Sequence, residues 1–224
     1  MKTIVLSLGG SLIVPDEIDV AFLIKFKEVL LNFSKLGNRI IIVCGGGRTA
    51  RKYITAANNI NKCSDKNLDW IGIKSTQLNA EIIRAIFGKD AYKEVVPDFN
   101  KTDIKFKILI AAGYLPGCST DYDAVMWAKN YNADYLINLT DVDYVYDKSP
   151  RRHPDAKPLP KLTWRQMQKI VGTKWEAGMQ FPFDPIATKI AGKLKMRVAF
   201  LNGKNIDNFE NFINGKTFIG SVIE

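Results

Sequence analysis

Three consecutive glycines precede two arginines in Gly45-Gly46-Gly47-Arg48-Thr49-Ala50-Arg51. Successive glycines let backbone N–H groups turn toward one point and leave no Cβ in an anion's way. If a helix starts there, its unpaired first-turn amides add the positive end of the helix dipole. Arg48 and Arg51 supply guanidinium forks that match phosphate oxygens. Taken alone, the motif supports a phosphate cradle or a tight turn. Gly9-Gly10-Ser11 offers a second cradle, with the Ser11 hydroxyl as helix N-cap or phosphate donor, against the alternative of a plain strand-to-loop turn. Two cradles in one sheet suggest two phosphorylated groups facing each other, as phosphoryl transfer requires. Neither is a P-loop: G-x-x-x-x-G-K-[ST], G-x-G-x-x-G and the histidine-based protein-kinase set are all absent.

Carboxylates and one lysine complete the reactive groups. Thr120-Asp121-Tyr122-Asp123-Ala124 follows Gly113-Tyr114-Leu115-Pro116-Gly117, and Thr120 or an Asp there suits a helix N-cap, a role worth ~1 kcal/mol. Capping accounts for one of them; a second carboxylate facing a basic site orients a lysine or a metal-bound water. Thr140-Asp141-Val142-Asp143-Tyr144-Val145-Tyr146-Asp147 leaves metal ligation and a polar turn both open. Asp184-Pro185-Ile186-Ala187-Thr188-Lys189 opens a helix with Pro at its first position and sets Lys189 approximately on an inward Ile186/Ile190 side. The single histidine, His153, lies in Pro150-Arg151-Arg152-His153-Pro154 with no visible orienting partner, so a solvated side chain is expected there and not a general base.

These groups need a frame, and apolar periodicity supplies one. Strands are expected near 3–8, 39–44, 107–111, 135–139, 197–201 and 217–223. Helices are expected near 17–36, 48–60, 71–87, 121–131, 163–171, 184–193 and 205–213, with a Pro-rich crossing at 148–161. Near-continuous apolar strands alternating with longer helices predict an α/β fold with a mostly parallel sheet, which binds ligands at the carboxyl ends of its strands. Gly9-Gly10-Ser11, Gly45-Gly46-Gly47, the 113–117 loop and Thr140-Asp141 each follow a strand candidate directly.

With 224 residues, 46% hydrophobic and 25% charged, the chain has enough apolar material for a full core. No apolar run approaches the ~20 residues of a membrane helix, and Met1-Lys2 leads straight into the first strand, so a cytoplasmic protein is expected. Cys44, Cys63 and Cys118 are odd in number and lack C-x-x-C spacing, which argues for reduced thiols over disulfides or zinc. The formal charge of +9 is scattered, without the aromatic-and-basic sheet motif of an RNA reader, so a solvated basic surface is expected first and a field for nucleotide phosphates second.

Read in order, Leu8-Gly9-Gly10-Ser11, Val43-Cys44 with the glycine run through Lys52-Tyr53, Asp69-Trp70-Ile71-Gly72-Ile73 with Leu78-Asn79-Ala80, Pro116-Gly117-Cys118-Ser119-Thr120-Asp121, Asn138 through Tyr146, and Asp184 through Lys189 resemble the amino acid kinase superfamily. Within it the chain is most similar to the archaeal-type uridylate (UMP) kinases. The resemblance implies a three-layer αβα sandwich around a mostly parallel sheet. It also implies a single domain over 1–224, with an acceptor lobe over approximately 1–130 and an ATP-binding lobe over approximately 131–224. The implied activity is ATP + UMP to ADP + UDP with Mg²⁺, by a cytoplasmic homo-oligomer, usually a hexamer, with no nucleic-acid or membrane partner.

On that resemblance Gly46 touches the UMP phosphate, Gly47 and Arg51 the transferring phosphates, and Asp69 the uridine ribose. The loop Tyr114, Leu115, Pro116, Gly117, Cys118, Ser119 and Thr120 closes over UMP. Gly9, Gly10, Ser11 and Lys189 face the ATP phosphates, while Thr140, Asp141, Tyr146 and Ser149 line the adenine-nucleotide pocket. Lys189, Arg51 and Asp121 are the implied catalytic groups, with Asp121 orienting Lys189 or holding a metal through water; no direct metal ligand is implied. Three departures stand out. Ser7 occupies a position where many relatives carry a phosphate-clamping lysine, Tyr144 replaces a usual Gly, and Ser149 replaces a usual Asp. The competing expectations are a kinase for CMP, carbamate or isopentenyl phosphate, a non-catalytic nucleotide- or oxyanion-binding storage protein, and a nucleic-acid-binding regulator.

Overall fold

The computed structural model describes residues 1–173 and 181–224. Five parallel strands, β1 (Thr3–Leu8), β2 (Arg39–Cys44), β3 (Ile108–Ala111), β4 (Tyr135–Thr140) and β6 (Val198–Asn202), form the body of one sheet. The strand order is β3-β2-β1-β4-β6-β7-β5, in which β7 (Ser221–Ile223) runs antiparallel to β6 and β5 (Lys161–Leu162) lies parallel to β7. The order reverses at β1, whose neighbours are β2 and β4, so a crevice opens at the carboxyl ends of those strands.

Alternate residues of each strand feed two cores. Ile4, Leu6 and Leu8 of β1 pack with Ile40 and Ile42 under α2 (Val20–Lys35), α4 (Asp65–Phe87) and α8 (Ile206–Ile213). Val5, Ile41 and Val43 face α5 (Thr120–Asn130), α6 (Trp164–Val171) and α7 (Pro185–Lys193). Burial on both faces explains why these strands lack polar alternation, and the outcome is the three-layer α/β arrangement. α3 (Gly47–Ile60) packs on α4, and the short α1 (Gly10–Ile13) follows β1. The free edge of β3 is covered by residues 91–96, where the amides of Tyr92 and Val96 donate to the carbonyls of Ile108 (2.8 Å) and Ile110 (2.9 Å).

Most expected elements appear within a few residues. Helix α4 starts at Asp65 and not near 71, because Ser64 caps it by accepting from the Asn67 amide; Asp69 therefore lies inside a helix. The cap of α5 is Ser119, which accepts from Tyr122 N, so neither Thr120 nor Asp121 has the capping role. Ser11 does not cap either: α1 begins at Gly10, and Gly9 in the cap position makes no side-chain bond. The last strand is confined to 221–223, and the crossing at 148–161 ends in the unforeseen β5.

The two glycine runs touch. A Cβ built on Gly10 would lie 2.3 Å from the Gly45 carbonyl oxygen and 2.6 Å from the Gly47 nitrogen. Gly47 has φ of +56°, and its own Cβ would lie 2.3 Å from the Gly10 carbonyl carbon. Backbone thus packs on backbone where β1 and β2 hand over to their helices. Gly10→Ala is expected to cost about 1–3 kcal/mol or more, because main chain and not a flexible side chain must yield. Urea unfolding of the variant checks this, and a midpoint equal to wild type would contradict the contact.

Asp123 and Trp127, one turn apart on α5, are the two residues with buried side-chain polar atoms that find no partner among the described residues. Burial pushes the Asp123 carboxyl up to about 7; the Tyr114 amide pulls it down without completing a hydrogen bond, and Asp121 raises it further. An unfolded Asp titrates near ~3.9, so between that value and about 7 the folded state holds the extra proton. Stability should therefore fall as pH rises through this window and level off above it. Asp123→Asn should flatten the slope and be more stable than wild type at about pH 8, by on the order of a few kcal/mol. Denaturant titrations across pH test this; an unchanged slope would assign the titration elsewhere.

Candidate active site

One face of α4 holds the loops that rim the crevice. Asn79, 3% exposed, donates from Nδ2 to the carbonyl of Gly45 at 2.8 Å and of Gly46 at 3.3 Å. Thr76 Oγ1 accepts from the Gly113 amide at 2.8 Å and donates to the Ile73 carbonyl at 2.7 Å. Asp69 Oδ2 accepts from the Gly117 amide at 2.8 Å. Residues 69, 76 and 79 share a stripe at helical spacing, so one helix fixes the carbonyl side of the glycine run and both ends of the 113–117 loop. With these carbonyls tied back and the Gly45 amide given to the Leu8 carbonyl at 2.9 Å, the run is left with the amides of Gly46 and Gly47 for an anion. The role of Asn79 was not legible in the sequence; the available signal was an amide side chain between the apolar Ile73 and Ile83 turns.

The two cradles and the acceptor loop converge. Arg51, on the second turn of α3, donates from Nη2 to Ser11 Oγ at 3.1 Å, which bridges the β2 and β1 loops. Thr120 Oγ1 lies 3.6 Å from where a Gly45 Cβ would stand. Tyr114 stacks edge-on against Phe99 at 5.4 Å, anchoring the outer side of the 114–120 loop, while Leu115 and Gly117 stay exposed. Cys118 and Ser119 are partly buried, as is Pro116 between the two exposed residues.

Asp121 joins the two halves of the sheet. Its Oδ1 accepts from Ser7 Oγ on β1 at 3.0 Å and its Oδ2 from the Asp184 amide at 3.2 Å. Enclosure of the carboxyl raises its pKa to about 6; the Ser7 hydroxyl lowers it and Asp184 raises it. Asp184 itself caps α7, accepting from Ile186 N at 2.6 Å and Ala187 N at 2.7 Å. The inward face of α7 is Ala187, Thr188 and Ala191, not Ile186, which is 40% exposed. Lys189 accordingly points outward and makes no ion pair with Asp121 among the described residues.

At the end of β4 the three acidic residues go to different partners. Asp141 pairs with Arg151, Asp143 accepts from Asn202 Nδ2 at 2.9 Å, and Asp147 accepts from the Lys157 amide at 2.8 Å. They do not converge, and no group of three ligating side chains that could hold a metal exists among the described residues. The polar-turn reading holds for this segment. Thr140 accepts the Gly203 amide through its carbonyl, Tyr146 packs edge-on to Tyr144 at 6.3 Å, and Ser149 is exposed. His153 is exposed, as expected. A recess of about 400 Å³ between α1, α2 and the start of α8 shares Ser11 with this crevice.

Arg48, Arg51 and Arg151 rim one side of the crevice. Arg48 pairs with Asp16 across the mouth. The pKa of Arg51 is lowered by partial burial, then by Arg48 and Arg151, against the pull of Asp141. Facing amides and guanidinium groups suit two phosphates held end to end.

Comparison with known proteins agrees with that geometry. The profile of the amino acid kinase family matches residues 2–202. The uridylate kinase of Sulfurisphaera tokodaii is 36% identical over 99% of this chain and 98% of its own length, and that of Sulfolobus acidocaldarius 34% identical over 93% of each. The crystal structure of the uridylate kinase of Archaeoglobus fulgidus superposes with a TM-score of 0.86 at 30% identity, covering 100% of both chains. A UMP kinase from Bacillus anthracis, at 20% identity and a TM-score of 0.75 over 100% of this chain and 96% of its own, shares the fold. The chain belongs to the amino acid kinase family, on the branch of the archaeal-type uridylate kinases.

Proposed function

We propose that this chain transfers the terminal phosphoryl group of ATP to UMP, giving ADP and UDP. The observation that carries the reading is the Arg51–Ser11 contact over two glycine runs packed backbone to backbone. It sets one guanidinium between two amide cradles, where acceptor and donor phosphates would meet. The acceptor phosphate lies on Gly46, the uridine under residues 114–120, and the ribose at the Asp69 oxygen that Gly117 leaves free. The donor phosphates lie on Gly9, Gly10, Ser11 and Gly47, with the nucleoside at Thr140, Asp141, Tyr146 and Ser149. The acceptor lobe is approximately residues 1–130 and the ATP-binding lobe approximately 131–224, with the glycine loops of the first reaching the donor phosphates at their junction.

Phosphoryl transfer through a loose transition state asks mainly for alignment and charge neutralisation, so no strong base is needed. Arg51 spans the bridging region, and Lys189, one turn past the capped start of α7, is free to swing its long side chain onto the phosphates. Mg²⁺ is held by few carboxylates plus substrate phosphates and water. Asp121 fits that demand: each oxygen accepts one protein hydrogen bond and keeps lone-pair capacity for a metal-bound water. When bound, the ion supplies neutralisation of the donor's terminal oxygens. No helix among the described residues is long and apolar enough to cross a membrane; the cytoplasmic placement of the enzyme rests on its family resemblance. Exposed Tyr53, Ile60, Trp70 and Leu78 on α3 and α4 offer an apolar face for a homo-oligomer, a hexamer by analogy.

Turnover with UMP should far exceed that with CMP, dUMP, carbamate or isopentenyl phosphate in coupled ADP release with products checked by mass; ATP binding without product on any acceptor would refute the kinase reading. Lys189→Ala and Arg51→Ala should each lower turnover roughly 10²–10³-fold with the unfolding midpoint preserved. Undiminished turnover in both variants would sink the site assignment. The apparent UMP affinity should weaken as added salt shortens the Debye length from about 10 Å to about 3 Å; a flat response would mean the basic rim does not attract the substrate.

A further inference from the structure

A third arginine is delivered to the phosphate cradles by a separate piece of chain. Residues 145–159 fold into a hairpin in which Tyr146 pairs with Pro158, the Asp147 amide donates to the Lys157 carbonyl at 3.1 Å, and the Leu159 amide donates to the Val145 carbonyl at 2.9 Å. Its base is anchored to β7: Ser221, fully buried, accepts from the Val145 amide at 2.9 Å and donates to the Leu159 carbonyl at 2.6 Å. Its tip is closed by the Lys148–Asp155 pair at 2.6 Å and by the amides of Arg152 and His153 on the Ser149 carbonyl. A hairpin braced at both ends holds its tip in place, and from that tip Arg151 reaches back to Asp141, just past the end of β4.

Two features make this pair more than a surface contact. First, the Arg151 side chain is 58% exposed and that of Asp141 40%; an ion pair so open to water is weak, and a polyphosphate carrying several charges can take the guanidinium at little cost. Second, Arg151 lies close enough to Arg51 to act on its charge state, as Arg48 does, with Asp141 the carboxylate that opposes them at Arg51 and Asp16 paired with Arg48. Three guanidinium groups are thus brought together from α3 and the hairpin, and exposed carboxylates offset their repulsion only in part. The carboxyl end of β1 adds no cation of its own, since Ser7 is committed to Asp121.

We propose that Arg151 contacts the β- and γ-phosphates of ATP, exchanging Asp141 for the nucleotide and supplying at the donor site the positive charge that Ser7 does not. This assignment rests on the kinase reading above. It makes the 145–159 hairpin a part of the donor site that reads the phosphate chain as well as the nucleoside. Asp141 then acts as a placeholder that keeps the guanidinium near the cradle while no nucleotide is bound.

The test is direct calorimetric titration of ATP and of AMP into wild type, Arg151→Ala, Arg151→Lys and, as a control on the same tip, Arg152→Ala. Loss of a charge-assisted fork should weaken ATP binding about tenfold or more in Arg151→Ala while AMP binds as to wild type. Arg151→Lys should recover part of the loss, and Arg152→Ala should match wild type with both ligands. In steady state the Arg151→Ala KM for ATP should rise while the KM for UMP stays put. ATP affinity within twofold of wild type would overturn the assignment. So would a parallel loss of AMP and ATP binding, because Arg151 would then only brace the hairpin. Failure of the kinase reading looks different: wild type would bind ATP and phosphorylate no acceptor, leaving the contact with the phosphates standing.

Discussion

The contact of Gly10 with Gly45, Gly46 and Gly47 is the constraint on which the rest of the crevice depends. Two backbone segments that carry no side chain can approach to a distance that any Cβ would forbid, and that approach brings two sets of amides into one small volume. Helix α4 then decides which side of the run is available. Asn79 takes the carbonyls, Thr76 takes the amide of Gly113, and Asp69 takes that of Gly117. The Asn79 and Thr76 bonds are buried, where an unmade partner is costly, so the glycine run and the start of the 113–117 loop are set before any ligand arrives, while the Asp69 bond to Gly117 is exposed.

Charge is laid out in two zones across this frame. Asp121, Asp123 and Asp184 cluster where α5 meets the start of α7, and enclosure raises the pKa of the first two. The arginines stand on the opposite rim, at the start of α3 and on the hairpin. Asp121 is the link between zones, because Ser7 ties it to the strand that ends in the first cradle and Asp184 ties it to the helix that carries Lys189. A displacement of α7 would therefore be felt at β1 through two hydrogen bonds.

Much of this was legible in the sequence, for reasons that separate cleanly. Strands buried on both faces announce themselves as unbroken apolar runs, and β2 was placed to the residue. The glycine runs, the Asp184-Pro185 helix start and the carboxyl-end location of the polar loops follow from local chemistry. Orientation did not follow. Ile186 was expected inward, but α7 is short and packs on α6 and α5 through its small residues Ala187, Thr188 and Ala191, which the apolar spacing alone does not distinguish. Helix α4 was expected too short because its first turns are polar, which hid that Asp69 shares a helix face with Thr76 and Asn79. Pairings over long sequence separations, such as Asn79 with Gly45 or Ser7 with Asp121, depend on the tertiary fold and left no local mark.

The sheet also limits how copies of the chain can meet. At one side it stops in β5, two residues long, and at the other the open side of β3 is taken by residues 91–96. Among the described residues, neither margin presents a long regular strand of unpaired amides and carbonyls to template another. Among the described residues, growth by strand addition therefore finds little to build on, and the fibrillar aggregation it invites is disfavoured with it.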